Sequence, residues 1–193
     1  KGKIKTLSDL IKASKKKALN WGFAQIGGTE HIALATFAKA AGIKYKVVPF
    51  GSGGKMVQAL VSGGIDATLP NVSEVGDRVN DGTFKALAVM SEKRLGGYPK
   101  VPTTFENGFK VKGSTTRGYW VLKGTPKSAI KILSKGMIKA MKHKVFAAYL
   151  NNSGLSVKAS VAGPKIWNAH IKSEYNNAYS ALKELGLLKK KKK

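Results

Sequence analysis

The sequence predicts an α/β fold, a parallel sheet with helices on both faces, and three observations carry that expectation. Strand-like and helix-like segments alternate through the first half of the chain. Glycine-rich turns follow the strand-like segments, at Gly27-Gly28 and at Gly51-Ser-Gly-Gly54. The helical segments after Thr125 are amphipathic, as elements that cover a sheet must be.

Thr6-Leu-Ser-Asp9 reads as a capping box, in which a cap hydroxyl and an acid three residues later satisfy each other's backbone N–H, and it opens a helix over Leu7–Lys17. Leu19–Ala24 is a strand that leads into a helix from Thr29 to Ala41, stopped by Gly42. Tyr45–Phe50 follows as a strand, Gly51–Gly54 as a turn, and Lys55–Ser62 as a short helix closed by Gly63-Gly64. Ile65–Leu69 is the third strand; Pro70-Asn71 then leads to a helix over Ser73–Val79, and Asp81-Gly82 turns the chain into a strand at Phe84–Met90.

Beyond residue 90 the rhythm loosens into an irregular stretch at 94–102, a helical turn at Thr103–Asn107 and an extended strand at Thr116–Leu122, long enough to pass from one lobe to another. Thr125-Pro126 supplies a cap and a first-turn proline for a helix to Met141. A second helix runs from Lys144 to Asn151. Gly163-Pro164 opens the last one, whose Trp167, Ile171, Tyr175, Ala178, Leu182 and Leu185 form one apolar stripe. Against these three helices stands a single strand candidate, Leu155–Val161, so this region has coverings and little sheet.

At 193 residues and 42% hydrophobic content the chain can bury a core as one domain or two small lobes. The absence of cysteine excludes disulfides and thiolate metal sites. No apolar run approaches the roughly 20 residues that span a bilayer, and the N-terminus lacks a signal peptide's apolar core. A net charge of +25 raises the possibility of a nucleic-acid or anionic-lipid partner. Its distribution argues otherwise, because residues 18–80, which hold both glycine turns, carry five Lys/Arg against four acids. The excess sits in residues 1–17, with seven lysines and one acid, and after residue 80, ending in Lys189–Lys193. Lys127, Lys131, Lys135 and Lys139 recur every four residues as the solvated face of a helix.

The run Trp21 to His31 passes from strand through glycine into helix, which is the geometry of an anion site: the first helical turn has unpaired N–H groups and a partial positive charge. Gly27 and Gly28 permit close approach, and Thr29 offers a hydroxyl. An ordinary βα turn with glycines for tight packing accounts for the same residues. Gly51, Ser52 and Gly53 form a second such loop; it is no P-loop, since Pro49 replaces the first glycine and Met56 the magnesium-binding hydroxyl. His31 lies in the first helical turn beside the proposed anion. His31, His143 and His170 have no metal-ligand spacing, and no nucleophile elbow or carboxylate pair is visible, so neither a metal, a cofactor nor catalysis is expected. Asn71 follows the third strand at its carboxyl end, as ligand or helix cap. Arg117 is able to pair with a carboxylate, in a ligand or in the protein.

The ordered set Trp21-Gly22, Gly27-Gly-Thr-x-His31, Ala40-Ala-Gly42, Val48-Pro-Phe-Gly-Ser-Gly-Gly54, Gly63-Gly-Ile-Asp66, Asn71-Val-Ser-Glu74, Ala86-Leu-Ala-Val-Met-Ser-Glu-Lys-Arg94, Val101-Pro-Thr103, Arg117-Gly118 and Gly124-Thr-Pro126 resembles the extracytoplasmic solute receptors of tripartite tricarboxylate transporters, the Bug or TctC family. The resemblance covers essentially the whole chain. It implies a two-lobed periplasmic binding protein of type II that closes over a small carboxylate, a di- or tricarboxylate or related acid, and delivers it to a membrane permease. It further implies a non-enzymatic, monomeric, exported protein with no nucleic-acid partner. Phe23, Gln25, Gly27, Gly28, Thr29, His31, Gly51, Ser52, Gly53, Asn71 and Arg117 are the ligand-binding residues so implied. Phe23 and Gln25 stand where the family commonly has Ser and Gly, which reshapes the pocket. Residues 5–118 correspond to the family's second lobe, complete with its sheet, and 119–193 to the mostly helical C-terminal part of the first. The family's opening strand–glycine loop–helix unit has no counterpart here, so the natural protein is expected to have a further N-terminal part, signal peptide included. The competing class is a basic protein associated with nucleic acid or anionic lipid.

Overall fold

A computed structural model of the chain describes residues 4–188; the terminal lysines Lys189–Lys193 lie outside them. The elements are α1 (Leu7–Lys16), β1 (Leu19–Phe23), α2 (Thr29–Ala41), β2 (Tyr45–Pro49), α3 (Gly53–Val61), β3 (Ala67–Thr68), α4 (Val72–Asn80), α5 (Lys127–Met141), α6 (Lys144–Asn152), α7 (Val157–Ser160) and α8 (Pro164–Glu184). The capping box forms at α1: the Asp9 N–H donates to Thr6 Oγ1 at 3.1 Å and the Thr6 N–H to Asp9 Oδ2 at 3.0 Å.

The three strands make one parallel sheet in the order β2-β1-β3, with Leu19 opposite Tyr45 and Trp21 opposite Ala67. The connection from β1 moves one way and the connection from β2 moves back past it, so two right-handed crossovers place α2 and α3 on opposite faces. Strand alternation divides β1 between those faces. Leu19, Trp21 and Phe23 join Leu7 and Leu10 of α1 and Leu34, Phe37 and Ala38 of α2 in the main core. On the other face Gly22 has no side chain because none fits: a Cβ there would stand 2.5 Å from Ile65 Cδ1, 3.0 Å from Met56 Cγ and 3.2 Å from Phe50 Cε2.

α8 lies across α2. Near its C-terminus Glu184 Oε2 meets Lys39 Nζ at 2.9 Å. Near its start it carries the extended segment 116–122, with the Trp120 and Trp167 ring centroids 5.9 Å apart, Gly118 against the Trp167 ring, and His170 Nε2 3.2 Å from Thr116 Oγ1. No described helix is long and apolar enough to cross a membrane.

Four expectations are corrected. Phe84–Met90 forms no strand: β3 is only two residues long and offers no ladder, and Val89 bridges to Thr103 instead, its N–H donating to the Pro102 carbonyl at 2.9 Å. Leu155–Val161, the strand candidate of this region, contains the helical turn α7, because the Ser156 hydroxyl accepts from the Ala159 N–H at 3.3 Å as an N-cap. The extended run 116–122 joins no sheet. Pro126 takes the N-cap position of α5 rather than its first turn, and the Thr125 hydroxyl donates back to the Leu122 carbonyl at 2.8 Å. The helices of this region bury little: neither α5 nor α8 has a fully buried residue, and Leu122, Ile132 and Val145 are largely exposed.

Candidate functional site

Because β1, β2 and β3 are parallel, their carboxyl ends share one edge, and each is followed by a helix. α2, α3 and α4 therefore open on the same edge, at the crevice beside β1 where the strand order reverses, the usual ligand position in open α/β sheets. The loops are tied together by backbone bonds: the Phe50 N–H donates to the Phe23 carbonyl at 2.9 Å and the Gly51 N–H to the Ala24 carbonyl at 3.0 Å. Gly27 and Gly51 turn with φ of 75° and 74°, a left-handed conformation that side chains disfavour.

The donors of these three helix starts divide into occupied and free. The Gly27 N–H is taken by His31 Nδ1 at 3.0 Å and the Gly28 N–H by the Gln25 carbonyl at 3.3 Å. Ser52 Oγ caps α3 by accepting from the Lys55 N–H at 3.4 Å. At α4 the Asn71 N–H donates to Glu74 Oε2 at 3.2 Å and the Glu74 N–H to the Asn71 carbonyl at 2.9 Å. Among the described residues the backbone N–H groups of Thr29, Glu30, Gly53, Gly54, Val72 and Ser73 have no acceptor. Each helix start adds roughly half a positive charge, so the edge is suited to an anion without any basic side chain.

The residues expected at the site have distinct fates. Gln25 and Thr29 are exposed on the first loop, Gly51 and Ser52 on the second, and Gly53 and Asn71 are half-buried at the starts of α3 and α4. Thr29 is the first residue of α2, whose cap is Gly28 with no side-chain bond, so its hydroxyl does not cap the helix. Phe23 is fully buried, and His31 packs beneath the loop with its ring centroid 5.2 Å from that of Phe23 and 6.2 Å from that of Tyr45. Burial pushes the imidazole pKa down. With Nδ1 accepting from Gly27, neutral His31 is held as the Nε2–H tautomer. His31 thus shapes the loop from below. Arg117 is exposed beside the start of α8; Gly27 faces Leu182, fifteen residues along that helix from the Trp167 that meets Gly118. At 1.5 Å per residue this is about 20 Å, so Arg117 is not brought to the loops.

Two residues at this edge escaped sequence reasoning. Glu30 Oε2 accepts from the Ala24 N–H at 3.2 Å, and burial, with Glu74 adding its charge, pushes the Glu30 carboxyl pKa up. Glu74 also lies against Gly53, where a Cβ would stand 3.2 Å from its Oε1. The Asn-x-x-Glu spacing of 71–74 is itself a capping-box signal that could have placed Glu74.

The family model for the tripartite tricarboxylate transporter family receptor matches residues 2–187. The chain belongs to this receptor family. It is 25% identical over 191 residues to a UPF0065 protein of Bordetella pertussis, covering 94% of this chain and 56% of that protein. Among solved structures it resembles a TctC solute binding protein from Polaromonas, without ligand, at 26% identity and a TM-score of 0.79, over 95% of this chain and 63% of the other. It shares its fold with the R. palustris protein Rpa4515, solved with adipate, at a TM-score of 0.77 and 22% identity over 95% of this chain and 62% of that one. The chain spans about half the length of the curated relatives it matches. The α/β architecture expected of a TctC binding protein is the one observed, and receptors of this family are not enzymes.

Proposed function

We propose that the chain is the carboxylate-holding part of a periplasmic solute receptor that captures a small organic acid and passes it to a membrane permease. The observation that carries this reading is the meeting of three helix starts at one sheet edge, with free N–H groups on all three, while the two carboxylates of that edge, Glu30 and Glu74, are each tied to a backbone N–H, of Ala24 and of Asn71. A carboxylate held by backbone amides there needs no arginine, and the Gln25, Thr29, Ser52 and Asn71 side chains lie where they adjust the fit. Phe23 and His31 act from beneath, as the packing that sets the first loop. The ligand is released unchanged, and a monomer suffices for the task. The adipate bound by the R. palustris protein supports a dicarboxylate as the first probe.

Thermal unfolding of the chain with adipate, citrate and an aromatic monocarboxylate tests the reading. A ligand at a hundred times its Kd adds about 2.7 kcal/mol of stability. For a chain of this size that corresponds to a Tm rise of about 5–10 °C. No shift with any acid class, while the chain unfolds cooperatively, refutes it.

A further inference from the structure

We propose that the face built from α5, α6 and α7 docks on the surface of an anionic lipid bilayer, a property separate from solute binding. Residues 107–173 contain thirteen Lys/Arg and no Asp or Glu. Among the described residues Lys112, paired with Glu92, is the one of the thirteen in an ion pair. Nothing on these helices offsets the charge, in contrast to the balanced segment that carries the glycine loops.

The charges are also arranged. Lys127, Lys131, Lys135 and Lys139 are all exposed on α5 and step about 6 Å apart along a line of about 18 Å. That is closer than the Debye length of about 10 Å at 0.1 M salt, so the four act as one patch. Like charges four residues apart weaken a helix, so the stripe contributes nothing to the stability of α5. Lys139, Lys142 and His143 border a concavity of about 720 Å³ whose floor is Gly136, Ala140, Val145, Phe146 and Tyr149. Lys142 also borders, with Lys158 of α7, a second hollow of about 540 Å³.

Lysine and apolar surface occur side by side. Ile132, 72% exposed, stands seven residues before Lys139 and so on nearly the same side of α5, and Val145, 69% exposed, follows Lys144. A cation with an aliphatic neighbour is the pairing that an acidic headgroup layer accepts, charge at the headgroups and methyl groups just below. Nucleic acid is the less fitting partner. Twelve of the thirteen cations are lysine, which lacks the planar fork of arginine that matches a base edge or phosphate.

Co-sedimentation of the whole chain with vesicles of mixed phosphatidylglycerol and phosphatidylcholine, against phosphatidylcholine alone, tests the proposal. Binding is expected on the anionic vesicles only and weakens as salt is raised. Each lysine near such a surface contributes roughly a fivefold factor. K127Q/K131Q/K135Q/K139Q should therefore lose on the order of several hundredfold, with unchanged circular dichroism. The matched variant K12Q/K15Q/K16Q/K17Q, which removes the same charge from α1 and its C-cap, should lose less than about tenfold. Equal losses in the two variants would mean adsorption by net charge alone and overturn the proposal. So would duplex DNA held as tightly as the vesicles and lost with the same α5 variant.

Discussion

Replacing Gly22 by alanine tests whether the close seating of α3 on β1 sets the site edge. The added methyl would lie 2.5 Å from Ile65 Cδ1, 3.0 Å from Met56 Cγ and 3.2 Å from Phe50 Cε2, where unstrained carbon contacts need about 3.5 Å or more. The Ile65 tip can rotate, but Met56 is fully buried and Ile65 nearly so, which leaves little room for it to go. Overpacking of this kind costs about 1–3 kcal/mol. Alanine returns about 0.5–1 kcal/mol by restricting the unfolded chain. A net loss of up to about 2.5 kcal/mol, centred near 1 kcal/mol, remains, and the central value is a fall in Tm of roughly 2–4 °C for a chain of this length. Urea unfolding followed by far-ultraviolet circular dichroism gives the free energy directly. Because α3 begins at Gly53, displacing it moves one of the three helix starts, so the Tm rise produced by adipate should shrink as well. An unchanged or raised stability would refute the close-packing argument.

The other predictions concern the first loop. Burial favours neutral His31, so the unfolded chain binds more protons than the folded one below about pH 6.5. Stability should therefore fall as pH drops through that window, by at most about 1.4 kcal/mol per pH unit from this group, and His31→Gln should flatten that part of a urea-midpoint profile. Gly27→Ala places a side chain at a φ of 75° and within 3.3 Å of Leu182 Cδ2. The left-handed strain alone is worth about 1–2 kcal/mol, so Tm should fall by roughly 2–8 °C and the adipate shift with it, both read in one thermal melt.

What the sequence revealed and what it hid divide by the range of the interactions involved. β1 and α2 were legible because their signals are local: the Leu19-Asn-Trp-Gly-Phe23 alternation is a two-faced strand, and Gly42 ends α2 with a φ of 61° in the left-handed region. The capping box at Thr6–Asp9 is local too. Phe84–Met90 failed as a strand for a distant reason, the lack of a ladder on β3, which no property of those residues records. The strand expected at Leu155–Val161 was outweighed by a single cap at Ser156.

The site followed the same rule with a sharper consequence. That three helix starts share one edge follows from parallel strands, and the loops at 25–29 and 51–53 and Asn71, which the family resemblance groups together, fall on that edge. Which side of each loop faces outward does not follow, because it depends on the pleat. Phe23 falls on the core face of β1 with Leu19 and Trp21, and His31 on the core side of α2 with Leu34 and Ala38, so both side chains are buried beneath the first loop. The same pleat leaves the backbone exposed where those side chains are not, and among the described residues the amides of Thr29, Glu30 and His31 are without acceptors at the first helix start. A carboxylate cradle of main chain, as proposed for this edge, would record its fold in glycines and caps and leave its ligand unspecified.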